Sequence, residues 1–196
     1  AFGGTVVLME KFDAAKYPAL GQAHRMTHTM LVPVQYQRIM ALPQFGAHDL
    51  SSTLFKFCTS APFNAALKAD VVKRWPGGLI EFYGMTEGGG TCILAAHEHP
   101  TKLHTVGQPA QGHDIRLIDD EGRECQRGTP GDVAVHRRDV HGHPDPVFFL
   151  GYWKNDAATA AKFTADPTDS WCRTGDTAVM DADGYLWYQG RSDDVF

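Results

Sequence analysis

A glycine-rich segment that follows an apolar run contains the clearest chemical motif of the chain. Residues 79–83 have the composition of a buried strand, and the segment continues as Tyr83-Gly84-Met85-Thr86-Glu87-Gly88-Gly89-Gly90. Thr86 and Glu87 place a hydroxyl beside a carboxylate, and such oxygens suit Mg²⁺ and phosphate. The glycines let the backbone turn tightly and approach a ligand, while Tyr83 offers a flat face to a purine. The alternative is an ordinary glycine-rich turn between two strands.

Two later segments also combine glycine, arginine and carboxylates. In Arg173-Thr174-Gly175-Asp176, the carboxylate of Asp176 is suited to accept hydrogen bonds from two neighbouring ribose hydroxyls. The alternative is that Asp176 only closes a turn. In Gly190-Arg191-Ser192-Asp193-Asp194, an arginine precedes two acids, which by itself indicates a surface ion-pair cluster of small energetic value.

The elements that must position these segments change character along the chain. Up to about residue 104, strand-like runs at 5–9, 29–32, 54–58 and 79–83 alternate with helical patterns at about 14–25, 34–42 and 65–75. Asp13 and Asn64 are candidate N-caps. Tyr36, Ile39 and Met40 share one face of the second helix. This alternation predicts an α/β fold, a mostly parallel β-sheet with covering helices.

The remaining residues predict short strands joined by turns. Strands are expected at 114–118, 132–135, 179–180 and 185–188, with turns at 119–122 and 181–184 and an alanine-rich helix at 155–163. This pattern is typical of a small antiparallel barrel-like or sandwich subdomain. The predicted division is therefore 1–104, an α/β part, and 105–190, a β-barrel-like subdomain.

Composition excludes several classes of function. The formal net charge of −5, from 18 basic and 23 acidic side chains, does not favour nucleic-acid binding. The four cysteines contain no C-x-x-C pair, which indicates reduced thiols in a cytoplasmic protein rather than a zinc site or disulfide framework. Neither His97, His99 and His104 nor His141 and His143 have acidic partners at helical spacing, so no metal site is expected there. The apolar runs are shorter than the roughly 18 residues of a transmembrane helix.

The order and spacing of the motifs resemble the adenylate-forming superfamily, which contains acyl-CoA synthetases, firefly luciferases and the adenylation domains of peptide synthetases. Residues 83–87 are similar to the family's Tyr-Gly-x-Thr-Glu motif, and the resemblance covers essentially the whole chain. The other matching segments follow in the family's order: Thr59-Ser60-Ala61-Pro62, Gly131-Asp132-Val133, Gly151-Tyr152-Trp153, Thr174-Gly175-Asp176 and Gly190-Arg191.

The resemblance implies a role for each matching residue. Thr86 would contact phosphate and Glu87 would hold Mg²⁺. Asp176 would bind the ribose hydroxyls with the help of Arg191. The residues implied near the base and nucleoside are Ser60, Ala61, Phe82, Tyr83 and Tyr188, with Tyr83 stacked on adenine. The residues implied at the border of the acyl pocket are Gly84, Met85, Gly88 and Gly89. Asp193 would lie at the hinge to a C-terminal domain, so that residues 191–196 begin that hinge.

The implied reaction joins a carboxylic acid to coenzyme A, with ATP giving an acyl-AMP and pyrophosphate before the thiol attacks. The family's phosphate loop is absent, because Gly3-Gly4-Thr5 lacks its lysine and proline, and the C-terminal catalytic lysine is absent too. We therefore expect an internal fragment of a ligase that forms little acyl-adenylate alone. Exposed apolar surface would also let it self-associate. The alternatives are a peptide-synthetase adenylation domain and a non-catalytic nucleotide-binding fragment.

Overall fold

The computed structural model describes residues 3–88, 91–165 and 170–192 of the chain. The chain folds into two compact units. The first comprises the residues up to Glu81 together with Ala95–Leu103, and the second comprises Phe82–Leu94 and the chain from His104 onward. The functional boundaries predicted at residues 104 and 190 stay predictions.

The first unit contains three parallel strands and three α-helices. Its elements are α1 (Tyr17–Ala23), β1 (His28–Leu31), α2 (Pro33–Met40), β2 (Phe55–Cys58), α3 (Ala65–Arg74) and β3 (Gly78–Tyr83). β2 pairs in parallel with both β1 and β3, so that Phe55 faces His28 on one side and Gly78 on the other. The last two residues of β3 belong to the second unit. The predicted parallel arrangement with helices is confirmed.

Local sequence signals account for two of these helices. α2 begins at Pro33, whose fixed φ and missing N–H suit a first helical position, and it buries Tyr36, Ile39 and Met40 as predicted. Before α3, the Asn64 side chain accepts hydrogen bonds from the backbone N–H groups of Ala66 and Leu67, at 2.8 and 3.4 Å. The predicted cap at Asn64 is thus confirmed.

Trp75, the residue after α3, is at the centre of the aromatic core of the first unit. Only 1% of its surface is exposed. Its ring centroid lies 6.2 Å from Tyr17, 5.9 Å from Tyr36 and 5.5 Å from Phe45. These tilted and edge-on contacts are the favoured geometries of aromatic pairs.

Two predictions near the start of the chain are wrong. Residues 5–9 form no strand, and Val6 and Leu8 are 78% and 85% exposed. A β-rich run becomes a strand only where a neighbouring strand pairs with its backbone, so composition misled here. The helix predicted at 14–25 is also shorter. Asp13 Oδ1 accepts from Ala15 and Lys16, which forms a turn before α1, and Arg25 takes a positive φ of 47° beyond its end.

The second unit is built on a four-stranded antiparallel sheet. Its elements are β4 (Cys92–Ala95), β5 (Gln108–Pro109), β6 (Ile115–Ile118), β7 (Pro130–His136), α4 (Asp156–Ala161), β8 (Trp171–Met180) and β9 (Leu186–Arg191). β4 pairs with β5, and the larger sheet has the order β6-β7-β8-β9. The hairpin turn predicted at 181–184 is confirmed, since Gly184 N donates to Asp181 O at 3.0 Å.

The predicted antiparallel second subdomain is confirmed, and its larger sheet has two free edges. Among the described residues, β6 and β9 are the edges of an open sheet, and no closed barrel forms. Four strands are too few to curl around a filled interior, which takes about eight in a typical closed barrel. Half-buried Tyr83, Met85 and Tyr188 pack against the apolar core of this unit, which comprises Cys92, Val106, Ile115, Leu117, Val133, Val135, Ala178, Met180 and Leu186.

The helices of the described residues are short. The longest, α3, has ten residues, and none of those in the described ranges combines the length and apolarity needed to cross a membrane. All four cysteines are free thiols, and Cys58, Cys92 and Cys172 are buried.

A buried lysine holds the end of α3. Lys56 on β2 is fully buried, and its Nζ donates to the carbonyl oxygens of Trp75, Pro76 and Gly77 at 3.0, 2.8 and 2.6 Å. Carbonyl groups at a helix C-terminus carry partial negative charge, so a cation there is favourable.

Replacing Lys56→Met should lower the free energy of unfolding by about 3 kcal/mol, because three carbonyl groups lose their donor. Urea unfolding of the variant beside wild type measures this. Lys73→Met is the matched control, since Lys73 lies exposed on α3 and should change stability by less than about 0.5 kcal/mol. Equal stability of Lys56→Met and wild type would contradict the assignment.

The same lysine predicts a pH dependence. Burial lowers the pKa of Lys56 from its ordinary 10.5 to about 8. Between these two values the unfolded chain binds more protons than the folded chain, so the contribution of Lys56 to stability rises with pH. The free energy of unfolding of wild type, measured relative to Lys56→Met, should therefore increase across this window.

Candidate functional site

Asp176 is a nearly buried carboxylate of the second unit that accepts a hydrogen bond on each of its oxygens. Tyr83 Oη donates to Asp176 Oδ2 at 2.7 Å, and Arg191 Nη1 donates to Asp176 Oδ1 at 3.1 Å. Asp176 is only 9% exposed. A carboxylate removed from water needs such partners, and a cationic donor is the strongest of them.

Strand register brings Arg191 to this carboxylate. On β8 and β9 the Cα atoms of Asp176 and Arg191 are direct partners, and the ladder becomes irregular just after Thr177. Gly175 has a φ of +84°, and a Cβ there would lie 2.7 Å from Arg191 Nη2. A side chain at this position would therefore displace the guanidinium group, which explains the glycine between Thr174 and Asp176.

Thr174 completes the support of Asp176. Its hydroxyl donates to Val133 O on β7 at 3.0 Å and accepts from Asp176 N at 3.2 Å. Arg191 Nη1 also donates to Thr174 O at 3.3 Å. The carboxylate is thus fixed by three neighbouring strands, β7, β8 and β9.

Tyr83, which bonds the Asp176 carboxylate, lies next to a second tyrosine ring, that of Tyr188. The centroids of Tyr83 and Tyr188 are 6.1 Å apart, with the ring planes tilted by 50°. Burial raises the pKa of Tyr83, and the hydrogen bond to Asp176 raises it further, so the phenol stays protonated and acts as a donor. The phenol that bonds Asp176 is thus itself part of an aromatic pair.

Glu87 lies in the turn that follows β3 and is held from a distant part of the chain. Tyr152 Oη donates to Glu87 Oε1 at 2.5 Å. This hydrogen bond lowers the pKa of Glu87, and the charges of Lys162 and Arg191 lower it further. The same bond raises the pKa of Tyr152 to about 12. Glu87 is consequently ionised at neutral pH.

The turn itself depends on Gly88. Gly88 N donates to Met85 O at 3.1 Å, and Gly88 has a φ of +74°. A Cβ at Gly88 would lie 1.8 Å from Val147 O, so only glycine allows this approach. Gly84 and Thr86 are exposed on the same turn, whereas Met85 packs against the core.

The positive charge of Arg191 affects both carboxylates, but by different means. Arg191 bonds directly to Asp176, and its charge is among the causes of the lowered pKa of Glu87. Asp176 and Glu87 therefore lie within electrostatic range of the same cation. Of the predicted site residues, the structure brings Tyr83, Asp176 and Arg191 into direct contact and places Tyr188 beside Tyr83, whereas Glu87 is held by Tyr152 and is affected by Arg191 through its charge.

The other predicted site residues are placed as follows. Ser60 and Ala61 are exposed in the first unit after β2, and Ser60 has a positive φ of 77°. Phe82 is half-buried on β3. Gly89 and Asp193 lie outside the described residues.

The donor set at Glu87 is compatible with Mg²⁺. An ionised carboxylate and the exposed hydroxyl of Thr86 are hard oxygen groups. The described ranges contain no group of three or more His, Cys, Asp or Glu side chains that could hold a metal ion. Mg²⁺ is often bound through one or two carboxylates plus substrate phosphates rather than by a protein cage.

Sequence reasoning missed two features of this unit. Tyr152 was noticed only as part of a motif, because its partner Glu87 is 65 residues away. A cavity of about 380 Å³ was not foreseen either. His136, Arg137 and Arg138 line it on one side and Phe148 and Phe149 on another, and none of the predicted site residues does. The sequence signal for this cavity is the run of adjacent basic residues 136–138 at the end of β7.

Comparison with known proteins connects this geometry to a family. Residues 1–153 match the family described as AMP-binding enzyme. The chain is 34% identical to an indoleacetate–CoA ligase of Aromatoleum aromaticum, over 98% of this chain and 36% of that protein. It is 32% identical to a feruloyl-CoA synthase of an Amycolatopsis species, over 98% of this chain and 37% of that protein. The chain thus spans little more than a third of the length of these relatives.

Solved structures also resemble this chain over most of its length. The amide bond synthetase McbA from Marinactinospora thermotolerans superposes with a TM-score of 0.84 and 29% identity, over 99% of this chain and 37% of that chain. The N-terminal domain of FACL13 from Mycobacterium tuberculosis, at 24% identity and a TM-score of 0.77 over 93% of this chain and 43% of that one, shares the fold. A family match over most of the chain leaves one conclusion: the chain belongs to the AMP-binding enzyme family.

Proposed function

We propose that this chain supplies the adenosine- and magnesium-binding residues of an AMP-forming acid–thiol ligase. The observation that carries the proposal is a pair of carboxylates in the second unit, a buried one at Asp176 that Arg191 bonds and an ionised, more accessible one at Glu87 that Tyr152 bonds. The first is suited to hold a ribose and the second a cation. Membership of the AMP-binding enzyme family supports the nucleotide as the shared ligand.

Asp176 would bind the two ribose hydroxyls. A carboxylate offers about four lone-pair sites. The bonds from Tyr83 and Arg191 use one site on each oxygen, so each oxygen keeps the capacity to accept a hydroxyl. Because those two bonds also fix the orientation of the carboxylate, little ordering is required when the nucleoside binds. Tyr188 and Tyr83 would border the nucleoside, with Phe82 near the base.

Glu87 would hold Mg²⁺ and Thr86 would contact a phosphate. Mg²⁺, when bound, neutralises negative charge on the phosphates and on the departing pyrophosphate. The lowered pKa of Glu87 keeps its charge available for this role. Activation of the carboxylic acid would give acyl-AMP, an anhydride that donates its acyl group more readily than the free acid does.

Coenzyme A is the acceptor that we propose for the acyl group. The relatives mentioned above include two CoA ligases, whereas a fatty acid–[acyl-carrier-protein] ligase ScoC of Streptomyces coeruleorubidus matches at 29% identity over 98% of this chain. With McbA, an amide bond synthetase, relatives with three different acceptor classes resemble this chain along nearly its full length. We infer that its residues serve the activation step that these relatives share. A carrier-protein thiol is the second candidate acceptor.

The nature of the acid is open to direct measurement. A panel of aromatic, medium-chain and long-chain acids, assayed for AMP release with CoA or a carrier protein as acceptor, compares all these possibilities. The assay uses the full-length protein that contains this chain.

Replacing Asp176→Asn should weaken AMP binding to the 196-residue chain by about ten- to a hundredfold, because hydrogen bonds to a charged acceptor become bonds to a neutral one. Isothermal calorimetry measures this. Asp120→Asn, in an exposed turn, is the matched control and should bind like wild type. Unchanged affinity of Asp176→Asn would remove the ribose assignment, and a wild-type chain without measurable AMP binding would contradict nucleotide binding by this chain alone.

Replacing Glu87→Gln in the full-length protein should reduce kcat for AMP release by about a hundredfold or more, since it removes the charge that holds Mg²⁺ while preserving the shape of the side chain. The expected change is a higher Mg²⁺ requirement with little change in AMP affinity. Glu98→Gln, exposed in the first unit, serves as the control. Full activity of Glu87→Gln at low Mg²⁺ would show that another group holds the cation.

We also expect the 196-residue chain to self-associate. Leu150 and Trp153 are 97% and 88% exposed in the second unit, and such surfaces promote association. Sedimentation velocity should show concentration-dependent oligomers of wild type, reduced in the double variant Leu150→Ser with Trp153→Ser. Ala157→Ser, exposed on α4, is the control. A wild-type chain that stays monomeric at high micromolar concentrations would contradict this expectation.

A further inference from the structure

The segment 147–152, here called the backing segment, contacts the Glu87 turn at three places. Tyr152 Oη donates to Glu87 Oε1 at 2.5 Å, and Phe149 N donates to Glu87 O at 2.9 Å. The carbonyl of Val147 lies so close to Gly88 that no Cβ fits between them. Both the side chain and the backbone of Glu87 are therefore held by the same segment.

Tyr152 is itself anchored. Its N–H donates to Thr159 Oγ1 at 2.9 Å, and the Thr159 hydroxyl donates to Asn155 O at 3.0 Å. Asn155 caps α4 by accepting from Ala158 N at 3.1 Å. The Tyr152 ring also meets the ring of Phe149 edge-on, with centroids 5.2 Å apart. The backbone and the ring of Tyr152 are thus both held in place, and so is the hydroxyl that bonds Glu87.

The Tyr152 hydroxyl is not needed for the packing of the ring against Phe149. The Tyr152 side chain is only half-buried, and a phenylalanine would keep the edge-on contact with Phe149. What phenylalanine would remove is the bond to Glu87 Oε1. A glutamate without that bond regains rotamer freedom, which would have to be lost again when a cation binds.

We infer that Tyr152 is a positioning residue whose hydroxyl fixes the Glu87 carboxylate in the orientation that binds Mg²⁺ together with a nucleotide. The part that concerns Mg²⁺ rests on the function proposed above, whereas the fixing of the carboxylate does not. One bond at Oε1 leaves further lone-pair sites of the carboxylate for a cation.

The first measurement needs no ligand. NMR relaxation of the Glu87 side-chain methylene groups, in the ¹³C-glutamate-labelled chain, reports the order of the side chain on the picosecond-to-nanosecond scale. Tyr152→Phe should lower that order clearly. Tyr17→Phe is the matched control, because it removes a hydroxyl that bonds Thr29 in the first unit. Amide exchange at Phe149 should stay slow in Tyr152→Phe, which shows that the backing segment remains folded.

The second measurement separates cation binding from adenosine binding. Calorimetry gives the affinity of the chain for AMP and for ATP with and without Mg²⁺. In Tyr152→Phe, the gain in ATP affinity caused by Mg²⁺ should fall by about tenfold, while the affinity for AMP stays within about twofold of wild type. A purely structural role would weaken all of these together.

The outcomes distinguish the two proposals. Lower order at Glu87 with a reduced Mg²⁺ effect supports the inference. Unchanged order at Glu87, or an unchanged Mg²⁺ effect despite lower order, overturns it. Loss of slow exchange at Phe149 also overturns it, since Tyr152 would then maintain the fold of the segment. If wild type shows no effect of Mg²⁺ on ATP binding while Tyr152→Phe still loosens Glu87, the proposed Mg²⁺ role fails and the fixing of the carboxylate by Tyr152 stands.

Discussion

The candidate site depends on the antiparallel pairing of β8 with β9, which sets Arg191 opposite Asp176. This register turns two residues 15 positions apart into a hydrogen-bonded ion pair next to the ring of Tyr83. A slip by one residue would direct every side chain of β9 to the other face of the sheet and leave the nearly buried carboxylate without its cation. The apolar core beneath the sheet opposes such a slip, because Ala178, Met180 and Leu186 fill it from the same two strands.

The two carboxylates of the site differ in a way that suits two different ligands. Asp176 accepts from a tyrosine and an arginine and is almost removed from water, so it is a fixed acceptor for neutral donors. Glu87 is more exposed and accepts from Tyr152, which stabilises its charged form and lowers its pKa. A phenol hydroxyl supports each carboxylate without neutralising it. Arg191 adds positive charge that both of them experience.

Sequence patterns predicted the elements whose signals are local. Asn64 as a cap, the buried face of α2 and the turn at 181–184 each follow from residues within a few positions of one another. The apolar run at 5–9 failed for the opposite reason, since a strand requires a partner that the run itself does not encode. The antiparallel second subdomain was predictable from short alternating runs, but whether its sheet closes depends on the number and stagger of the strands, which such runs do not specify.

The site was predictable to the extent that it lies in short motifs. The glycine turns predict Glu87 and Asp176 as candidate site residues, whereas the contact of Asp176 with Arg191 emerges only from strand pairing. The partner of Tyr152 is not predictable from its motif, because nothing there indicates a carboxylate 65 residues earlier in the chain. Glycines also indicate where another group approaches the backbone closely. Gly175 marks the approach of Arg191, and Gly88 marks the approach of the Val147 carbonyl.

α4 shows how a weak element can matter to a site. None of its residues is buried, so packing contributes little to its stability, and a helix of six residues is marginal in isolation. Its Asn155 cap and the Thr159 hydroxyl nevertheless fix the backbone of Tyr152, whose hydroxyl in turn holds Glu87. The orientation of one carboxylate thus depends on a chain of side-chain hydrogen bonds outside the core. Because each bond in such a chain contributes only about 1 kcal/mol, the Glu87 turn should loosen well before the sheet that carries Asp176 unfolds.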